Sequence, residues 1–366
     1  MSFSVHMKGY DDPRTLFQIE RLYAYKRGLN FPPALVEISP TSVCNHRCRF
    51  CYSNEKVSPS FLKKDTMLDL MDQLKEYGVD AVLFQGTGEP LLHKDLPEII
   101  QKGSDNYLLM SLTTNGIKLT PDIQTKILPY LHSLKFSVID YDPKRYSFLH
   151  GCPEDDCKKL VENISHAIEY RKRNNLTLAI YASVCLYKDN CEDAVNIGKF
   201  FKNLGVDYII FYEAFYVSSS PVQEDMYMSL SYSSSKFEEI SNEINQLQDD
   251  DFHIKCKLKV LQNLNNGIDQ NTWKNERCHG IKFYTLIGSD GEVYPCWRAW
   301  GQKHLSYGNV YSSKFKEIWE GENRKTVDNY INHTPPEGDE CVVCIHERQN
   351  EILEKFNEMT DWRHFI

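Results

Sequence analysis

Three cysteines lie close together near the start of the chain, in the run CNHRCRFCY from Cys44 to Tyr52. Three residues separate Cys44 from Cys48, two separate Cys48 from Cys51, and the aromatic Phe50 stands just before the last cysteine. Three thiolates at this spacing can hold three irons of a cubane cluster and leave the fourth iron open. An open iron can bind and reduce a substrate or cofactor, whereas a fully ligated cluster only passes electrons. The pattern therefore predicts a metal centre that takes part directly in chemistry.

Two other interpretations of these cysteines are open at this point, a structural zinc site and a set of buried thiols. Structural zinc usually has four ligands arranged as two pairs. No cysteine or histidine follows Cys51 at a usual ligand spacing, and His46 lies inside the loop, where it can point toward a shared metal or away from it. The spacing favours the iron–sulfur cluster.

The elements that position this loop alternate between short β-rich runs and amphipathic helical stretches, from Ala34 to about Phe215. Such alternation predicts a parallel sheet with right-handed crossovers. Six units are too few for a closed eight-fold barrel, so we expect an α/β fold with a partial (β/α)6 TIM-like barrel. In such folds the active site lies at the carboxyl ends of the strands. The cysteine loop follows the first predicted strand and so belongs to that end. The predicted strands are Ala34 to Ser39, Ala81 to Gln85, Leu108 to Leu112, Leu134 to Ile139, Leu178 to Leu186 and Tyr208 to Tyr212.

Three further motifs belong to the next three predicted strands. The second strand is followed by a turn that ends in Gly88, Glu89 and Pro90; glycines permit close approach, and a carboxylate accepts hydrogen bonds from an ammonium group. The third strand ends in the run TTNG, which begins at Thr113, and the fourth carries Ser137. Gly-rich turns after strands are common, and these two hydroxyl residues fit strand-end capping as well as ligand binding.

In order and spacing, the four motifs together resemble the radical S-adenosylmethionine (radical SAM) superfamily. The resemblance implies a 4Fe–4S cluster on Cys44, Cys48 and Cys51. It implies S-adenosylmethionine contacts at Phe50, Gly86, Thr87, Gly88, Glu89, Thr113 and Ser137. Thr87 replaces the first glycine of the family's Gly-Gly-Glu-Pro motif, which holds the amino group of the cofactor. The implied chemistry is reductive cleavage to a 5′-deoxyadenosyl radical, which abstracts hydrogen from a substrate carbon.

A second set of cysteines lies late in the sequence: Cys278, Cys296, Cys341 and Cys344. Between the first two stands the dipeptide Asp290-Gly291, a strong hairpin signal. Four cysteines with a hairpin and a closing CxxC pair fit a zinc ribbon as well as an iron–sulfur site. Taken alone, the spacing leaves both open.

This C-terminal pattern resembles the auxiliary-cluster domain, called SPASM, of many radical SAM enzymes. The long form of that domain holds two clusters and has further cysteines after the CxxC pair, whereas residues 345–366 contain none. The departure predicts the shortened form, called twitch, with a single 4Fe–4S cluster on all four cysteines. Its implied role is to relay an electron from a substrate radical. The cysteine spacing resembles that of the butirosin-pathway aminocyclitol dehydrogenase, which oxidises a ring alcohol to a ketone.

Composition restricts the partners of the chain. Its 51 acidic residues exceed its 42 basic ones, for a net charge of −9, which disfavours nucleic acid and anionic membranes. No secretory signal and no apolar stretch of membrane-spanning length is found, so the predicted location is cytoplasmic. Twelve cysteines in that compartment are more typical of metal ligands and reactive thiols than of disulfides.

We therefore predict an N-terminal extension (1–33), a radical SAM partial barrel (34–235), a helical connection (236–269) and a twitch domain with a tail (270–366). The predicted activity is that of a radical SAM oxidoreductase or tailoring enzyme. The predicted partners are a polar small molecule (a sugar, sugar nucleotide or aminocyclitol) and flavodoxin or ferredoxin as reductant. Candidate substrate contacts are Tyr212, Glu213, Tyr216, Trp297 and Arg298, and no residue is assigned as catalytic.

Two alternatives remain. One is a maturase that epimerises or crosslinks a ribosomal peptide. Peptide maturases often carry an N-terminal recognition domain, and the roughly thirty residues before the first strand are too few for one. The other is an iron–sulfur scaffold or sensor without catalysis, which the intact cysteine and Gly-Glu-Pro motifs disfavour.

Overall fold

The computed structural model describes residues 13–51, 58–187, 189–213, 234–257, 277–333, 344 and 346–358. Their strands are β1 (Leu35–Ile38), β2 (Ala81–Phe84), β3 (Leu109–Thr114), β4 (Ser133–Val138), β5 (Ala179–Leu186), β6 (Tyr208–Glu213), β7 (His253–Lys257), β8 (Tyr284–Ile287), β9 (Glu292–Tyr294) and β10 (Gly308–Asn309). All belong to one sheet in the order β10-β9-β8-β1-β2-β3-β4-β5-β6-β7. The eight strands that run in this order from β8 through β1 to β7 pair in parallel with their neighbours. The β8–β9 and β9–β10 pairs are antiparallel.

The α-helices of the described residues connect and cover these strands. They are α1 (Ile19–Lys26), α2 (Lys64–Tyr77), α3 (Leu96–Asp105), α4 (Pro121–Ile127), α5 (Pro143–His150), α6 (Asp155–Arg173), α7 (Ala194–Leu204), α8 (Ser234–Asn245), α9 (Phe315–Glu320), α10 (Glu322–His333) and α11 (Glu347–Glu358). Across the described ranges, no helix has both the length and the apolar character that crossing a membrane requires.

The predicted α/β fold with a largely parallel sheet is confirmed, and the six predicted strands are β1 to β6. Two parallel strands extend this sheet at its edges. Strand β7 pairs with β6 and lies inside the segment that was predicted to be a helical connection. Strand β8, from the C-terminal cysteine region, pairs with β1 from Leu35–Tyr284 to Ile38–Ile287. The C-terminal region therefore continues the same sheet that carries the first cysteine loop.

The two faces of the sheet differ in chemistry. One face is apolar and packs with the helices in a single core; its strand residues are fully buried and include Val36, Val82, Met110, Leu134, Ile180 and Ile209. The alternate residues point to the other side, and on β2, β3 and β4 they are only half-buried or exposed. We call this the inner face. Its members on β1 to β6 include Glu37, Leu83, Ser111, Thr113, Lys135, Ser137, Ser183 and Tyr212.

Candidate active site

The first cysteine loop follows β1 and brings its three thiols together. Cys44, Cys48 and Cys51 are all partly buried. Burial raises the pKa of Cys44 to about 11, and the charges of Glu89 and Cys51 add to the rise. Burial also raises the pKa of Cys48 well above its ordinary value, and the neighbouring Cys51 and Cys44 raise it further. Three clustered thiols whose thiolates repel one another fit a cationic centre, because iron neutralises the charge that makes the empty thiolate set unfavourable.

The end of helix α5 supports this loop. The amide N–H of Arg47 donates to the carbonyl of His150 at 3.1 Å, and that of Arg49 donates to the carbonyl of Leu149 at 2.9 Å. Gly151 ends the helix with φ +56, and a Cβ there would lie 2.3 Å from the Arg47 carbonyl oxygen. Only glycine permits this close approach of loop and helix.

The turn after β2 packs against the start of the same loop. The amide of Glu89 donates to the carbonyl of Val43 at 2.9 Å. A Cβ on Gly88 would lie 2.4 Å from that oxygen and 2.6 Å from the carbonyl oxygen of Thr41. Gly86 has φ +144, a conformation that other residues rarely adopt. The predicted S-adenosylmethionine turn and the predicted cluster loop are thus in direct contact.

The Glu89 carboxylate connects this turn to the end of β3. Its oxygens accept hydrogen bonds from the Thr114 hydroxyl at 2.7 Å and from the amides of Asn115 at 2.8 Å and Leu91 at 3.0 Å. Burial raises the pKa of Glu89, and these donors oppose the rise. The Glu89 side chain therefore fixes the turn after β2 relative to the end of β3. The Asn115 amide group also donates to the Asn45 side chain at 2.9 Å, which ties the third motif to the cysteine loop.

The other predicted cofactor residues lie around these turns. Thr113 donates to the Gln85 side chain at 2.9 Å on the inner face. Ser137 lies on the same face, further along β4 and opposite Ser183 of β5. The Phe50 ring packs edge-on against His150, with centroids 5.6 Å apart, and at a tilt against Tyr187 at 5.5 Å. Contact of Phe50, Thr113, Ser137 or the glycine turn with S-adenosylmethionine remains a prediction.

Two histidines beside the cysteines had no role in the sequence prediction. The Nε2 of His46 lies 3.2 Å from Asp156, so this ring pairs with a carboxylate. The Nδ1 of His150 lies 3.1 Å from the Cys48 sulfur. Burial lowers the pKa of His150 to about 3, so its imidazole is neutral at physiological pH. His150 is the last residue of a short helix that the apolar periodicity did not predict, and no sequence signal placed it near Cys48.

The three described cysteines of the second set also lie on neighbouring segments. Burial raises the pKa of Cys344 to about 12, with a further contribution from the nearby Cys296. Cys278 is buried, and two residues later a Cβ on Gly280 would lie 2.5 Å from the Cβ of His346. The segments that carry these three cysteines are therefore adjacent. The fourth predicted ligand, Cys341, lies outside the described residues, as does Tyr216.

Gly88→Ala is expected to destabilise the site because the new methyl group meets backbone oxygens that cannot rotate away. We expect the free energy of unfolding of the metal-free protein to fall by about 3 kcal/mol, with reduced iron loading. Urea denaturation and iron analysis measure the two effects. Gly205→Ala is the matched control: its backbone is strained at φ +96, but its Cβ would meet nothing closer than 3.7 Å, so we expect about 1 kcal/mol. Equal losses in the two variants would contradict the packing argument.

Comparisons with known proteins agree with this architecture. Residues 38–201 match the radical SAM superfamily, and residues 278–345 match SPASM, an iron–sulfur cluster-binding domain. The AdoMet-dependent heme synthase of Methanosarcina barkeri is 25% identical over 305 residues, which cover 79% of this chain and 82% of that protein. The tungsten-containing aldehyde ferredoxin oxidoreductase cofactor-modifying protein of Pyrococcus furiosus is 22% identical over 327 residues, with coverage of 83% and 85%.

Solved structures share the fold at low identity. Streptococcus suis SuiB bound to S-adenosylmethionine aligns with a TM-score of 0.66 and 16% identity. The alignment covers 93% of this chain and 78% of the SuiB chain. The finer resemblance to the butirosin-pathway dehydrogenase remains a prediction. The single-cluster twitch form also stays a prediction.

The two matched regions coincide with the two cysteine sets described above. A chain with these regions uses S-adenosylmethionine, a 4Fe–4S cluster and an auxiliary iron–sulfur cluster. The partly buried, mutually close thiols fit this requirement better than the inert buried thiols considered at first. This protein therefore contains a radical SAM domain followed by a SPASM iron–sulfur cluster-binding domain.

Proposed function

We propose that this protein is an oxidoreductase or related tailoring enzyme that acts on a polar small molecule bound against the inner face of the sheet. When bound, S-adenosylmethionine and its cluster supply a radical that abstracts hydrogen from a substrate carbon. The proposed ligands of that cluster are Cys44, Cys48 and Cys51. The chain itself has to hold the target carbon beside this loop and to remove the electron that an oxidation leaves behind.

The observation that supports this proposal most is a polar network across the inner face. The side-chain oxygen of Gln85 accepts from the Thr113 hydroxyl at 2.9 Å and from the Lys135 ammonium at 3.1 Å. On the neighbouring strand, Glu37 accepts from the Tyr284 hydroxyl at 2.6 Å and from the Trp297 indole N–H at 3.2 Å. Closed TIM barrels fill this space with layers of branched apolar side chains. An inner face with hydroxyl, amide, ammonium and carboxyl groups is suited to a polar ligand.

Charge on this face gives the ligand class more detail. Burial raises the pKa of Glu37, against the opposing effects of the Tyr284 hydrogen bond and the Lys135 charge. Within the described part of the chain Lys135 makes one hydrogen bond, so two of its three N–H groups can donate to a ligand. A molecule with several hydroxyl, amino or acidic groups fits this arrangement. Sugars, sugar nucleotides and aminocyclitols belong to that class.

The auxiliary region has a direct connection to the same face. Trp297 follows the predicted ligand Cys296, and its indole donates to Glu37 of β1. Oxidation of an alcohol carbon removes one hydrogen atom, one proton and one further electron. An auxiliary cluster beside the substrate can accept that electron, so the position of Trp297 supports an oxidative outcome. Flavodoxin or ferredoxin remains the proposed donor for the first cluster.

The proposal is tested with reduced, anaerobically reconstituted protein and S-adenosylmethionine. Candidate sugars, sugar nucleotides, aminocyclitols and synthetic peptides are compared for faster 5′-deoxyadenosine formation and for transfer of substrate deuterium into that product. We expect a polar small molecule to give both signals. Deuterium transfer from a peptide alone would favour the maturase alternative, to which SuiB bound to its precursor peptide SuiA is a structural parallel at 15% identity. No cleavage with any candidate would leave the scaffold alternative.

Lys135→Met is the variant that tests the inner face. With the accepted small molecule we expect KM to rise about 10- to 100-fold, because one hydrogen bond to a charged group is lost. Cleavage of S-adenosylmethionine without substrate should stay at the wild-type rate. Lys126→Met is the matched control, since Lys126 lies on helix α4 rather than on the inner face, is half-exposed and pairs with Asp122. An unchanged KM in Lys135→Met would place the substrate elsewhere.

A further inference from the structure

Helix α5 ends in a histidine that reaches the first cysteine loop. His150 is 1% exposed, and its Nδ1 lies 3.1 Å from the Cys48 sulfur. Its ring packs against Tyr146, His46 and Phe50, with centroids 4.3, 5.2 and 5.6 Å away. The carbonyl of the same residue accepts from the Arg47 amide. Both the backbone and the side chain of His150 therefore face the cysteine loop.

The chemistry of the contact assigns the proton. A cysteine sulfur that ligates iron is a thiolate, which accepts hydrogen bonds and cannot donate one. Nδ1 must then carry an N–H, whether the ring is neutral or protonated. In the described residues the Nε2 of His150 has no hydrogen-bond partner, so no other contact demands the opposite tautomer. The ring nitrogen of His150 that has a partner among the described residues is therefore directed at Cys48.

We propose that His150 is a positioning residue that donates a hydrogen bond to the Cys48 sulfur and raises the reduction potential of the first cluster. The inference goes beyond the proposed function and depends on it only for the ligation of Cys48. Hydrogen bonds to cluster sulfurs help to set the potential, because they stabilise the additional negative charge of the reduced state. The effect is strong here because aromatic rings exclude water from the contact. The donor makes the cluster easier to reduce.

Three substitutions separate this hydrogen bond from the packing of the ring. His150→Asn places an amide N–H near the position of Nδ1, His150→Gln places it near the position of Nε2, and His150→Phe keeps a ring without any donor. His46→Gln is the control for a neighbouring buried histidine, since His46 pairs with Asp156 rather than with a sulfur. Each full-length protein is reconstituted with iron and sulfide, and its iron and zinc contents are measured.

The readout is the midpoint potential of the first cluster, followed by electron paramagnetic resonance during a redox titration. The first cluster is recognised as the one whose spectrum changes on addition of S-adenosylmethionine. For His150→Phe and His150→Gln we expect the equilibrium constant of one-electron reduction to fall about tenfold, equivalent to about 59 mV. His150→Asn and His46→Gln should stay within about threefold of wild type.

Two outcomes would overturn the inference. One is a wild-type potential in His150→Phe and His150→Gln at full iron content. The other is zinc in the wild-type protein that is lost with His150, because the donor atoms of His46, Cys48 and His150 also lie within 4.8 Å of one another and form a potential metal-binding group. If the phenylalanine variant does not assemble, the comparison of Gln with Asn decides. Unchanged iron content in Cys48→Ser would instead contradict the proposed ligation, which keeps the two failures distinct.

Discussion

The triple variant Cys44→Ala/Cys48→Ala/Cys51→Ala is expected to lose 5′-deoxyadenosine formation completely. It should also bind about four irons where the wild-type protein binds about eight. Each of the three thiolates is expected to hold one iron of the first cluster, so alanine at all three positions leaves no partial ligand set. The folded structure should survive, because the loop is held by backbone contacts to α5 and to the Gly88 turn rather than by its thiols. Anaerobic reconstitution, iron analysis and chromatography of 5′-deoxyadenosine measure the outcome.

Cys152→Ala is the demanding control for this experiment. Cys152 lies near enough to Cys48 to raise its pKa, but it belongs to neither predicted ligand set. We expect the control to keep its iron and its S-adenosylmethionine cleavage. If Cys152→Ala loses iron and the triple variant does not, the ligand assignment made from the sequence is wrong.

Much of the barrel was predictable because its outer face follows simple rules. Each of the strands β1 to β6 carries apolar residues that are fully buried, such as Phe84 and Phe136, and this pattern located all six within two residues. The hairpin β8–β9 was located by its Asp290-Gly291 turn. Gly291 indeed adopts φ +86, as such a turn requires.

Other elements lacked this periodicity. Strand β7 reads HIKCK and contains two lysines, so its place in the sheet depends on pairing with β6 rather than on its own composition. Helix α5 is only eight residues long and was not predicted from its apolar pattern. Its capping signals were nevertheless present: Asp142 accepts from the amides of Lys144 and Arg145, and Gly151 ends the helix.

The site was predictable to the extent that it consists of motifs. The cysteine loop, the Glu89 turn and the Asn115 turn were expected to meet, and they do so through hydrogen bonds between their residues. The inner-face network was not predictable, because Glu37 and Lys135 are isolated polar residues in separate strands and Gln85 directly follows a third. Strand register alone brings them together. The same holds for His150, whose contact with Cys48 depends on where a short helix ends.

Removal of the auxiliary cysteines should affect the two reaction products differently: 5′-deoxyadenosine should still form, whereas the oxidised substrate should not. In Cys278→Ala/Cys296→Ala/Cys344→Ala we expect about four irons and continued 5′-deoxyadenosine formation. Substrate oxidation should fall more than 100-fold, because the electron left on the substrate has lost its proposed acceptor. The measurement is the ratio of oxidised product to 5′-deoxyadenosine, with Cys256→Ala on β7 as a control that should keep the wild-type ratio.

This ratio separates electron relay from structural support. The auxiliary region contributes β8 to the sheet and the Trp297 hydrogen bond to Glu37, so loss of its metal site can also disturb the inner face. A disturbed inner face raises KM, whereas a missing acceptor lowers the product ratio even at saturating substrate. Trp297→Phe, which removes the indole N–H and leaves the cysteines in place, should raise KM only.

If the wild-type protein holds about four irons and one zinc, the auxiliary site is structural and the relay is excluded. If the cysteine variant keeps the wild-type ratio, oxidation proceeds without the auxiliary cluster and the proposed relay is excluded. If the wild-type product has the same oxidation state as the substrate, the reaction needs no net electron acceptor, and epimerisation or dehydration replaces oxidation as the proposed outcome.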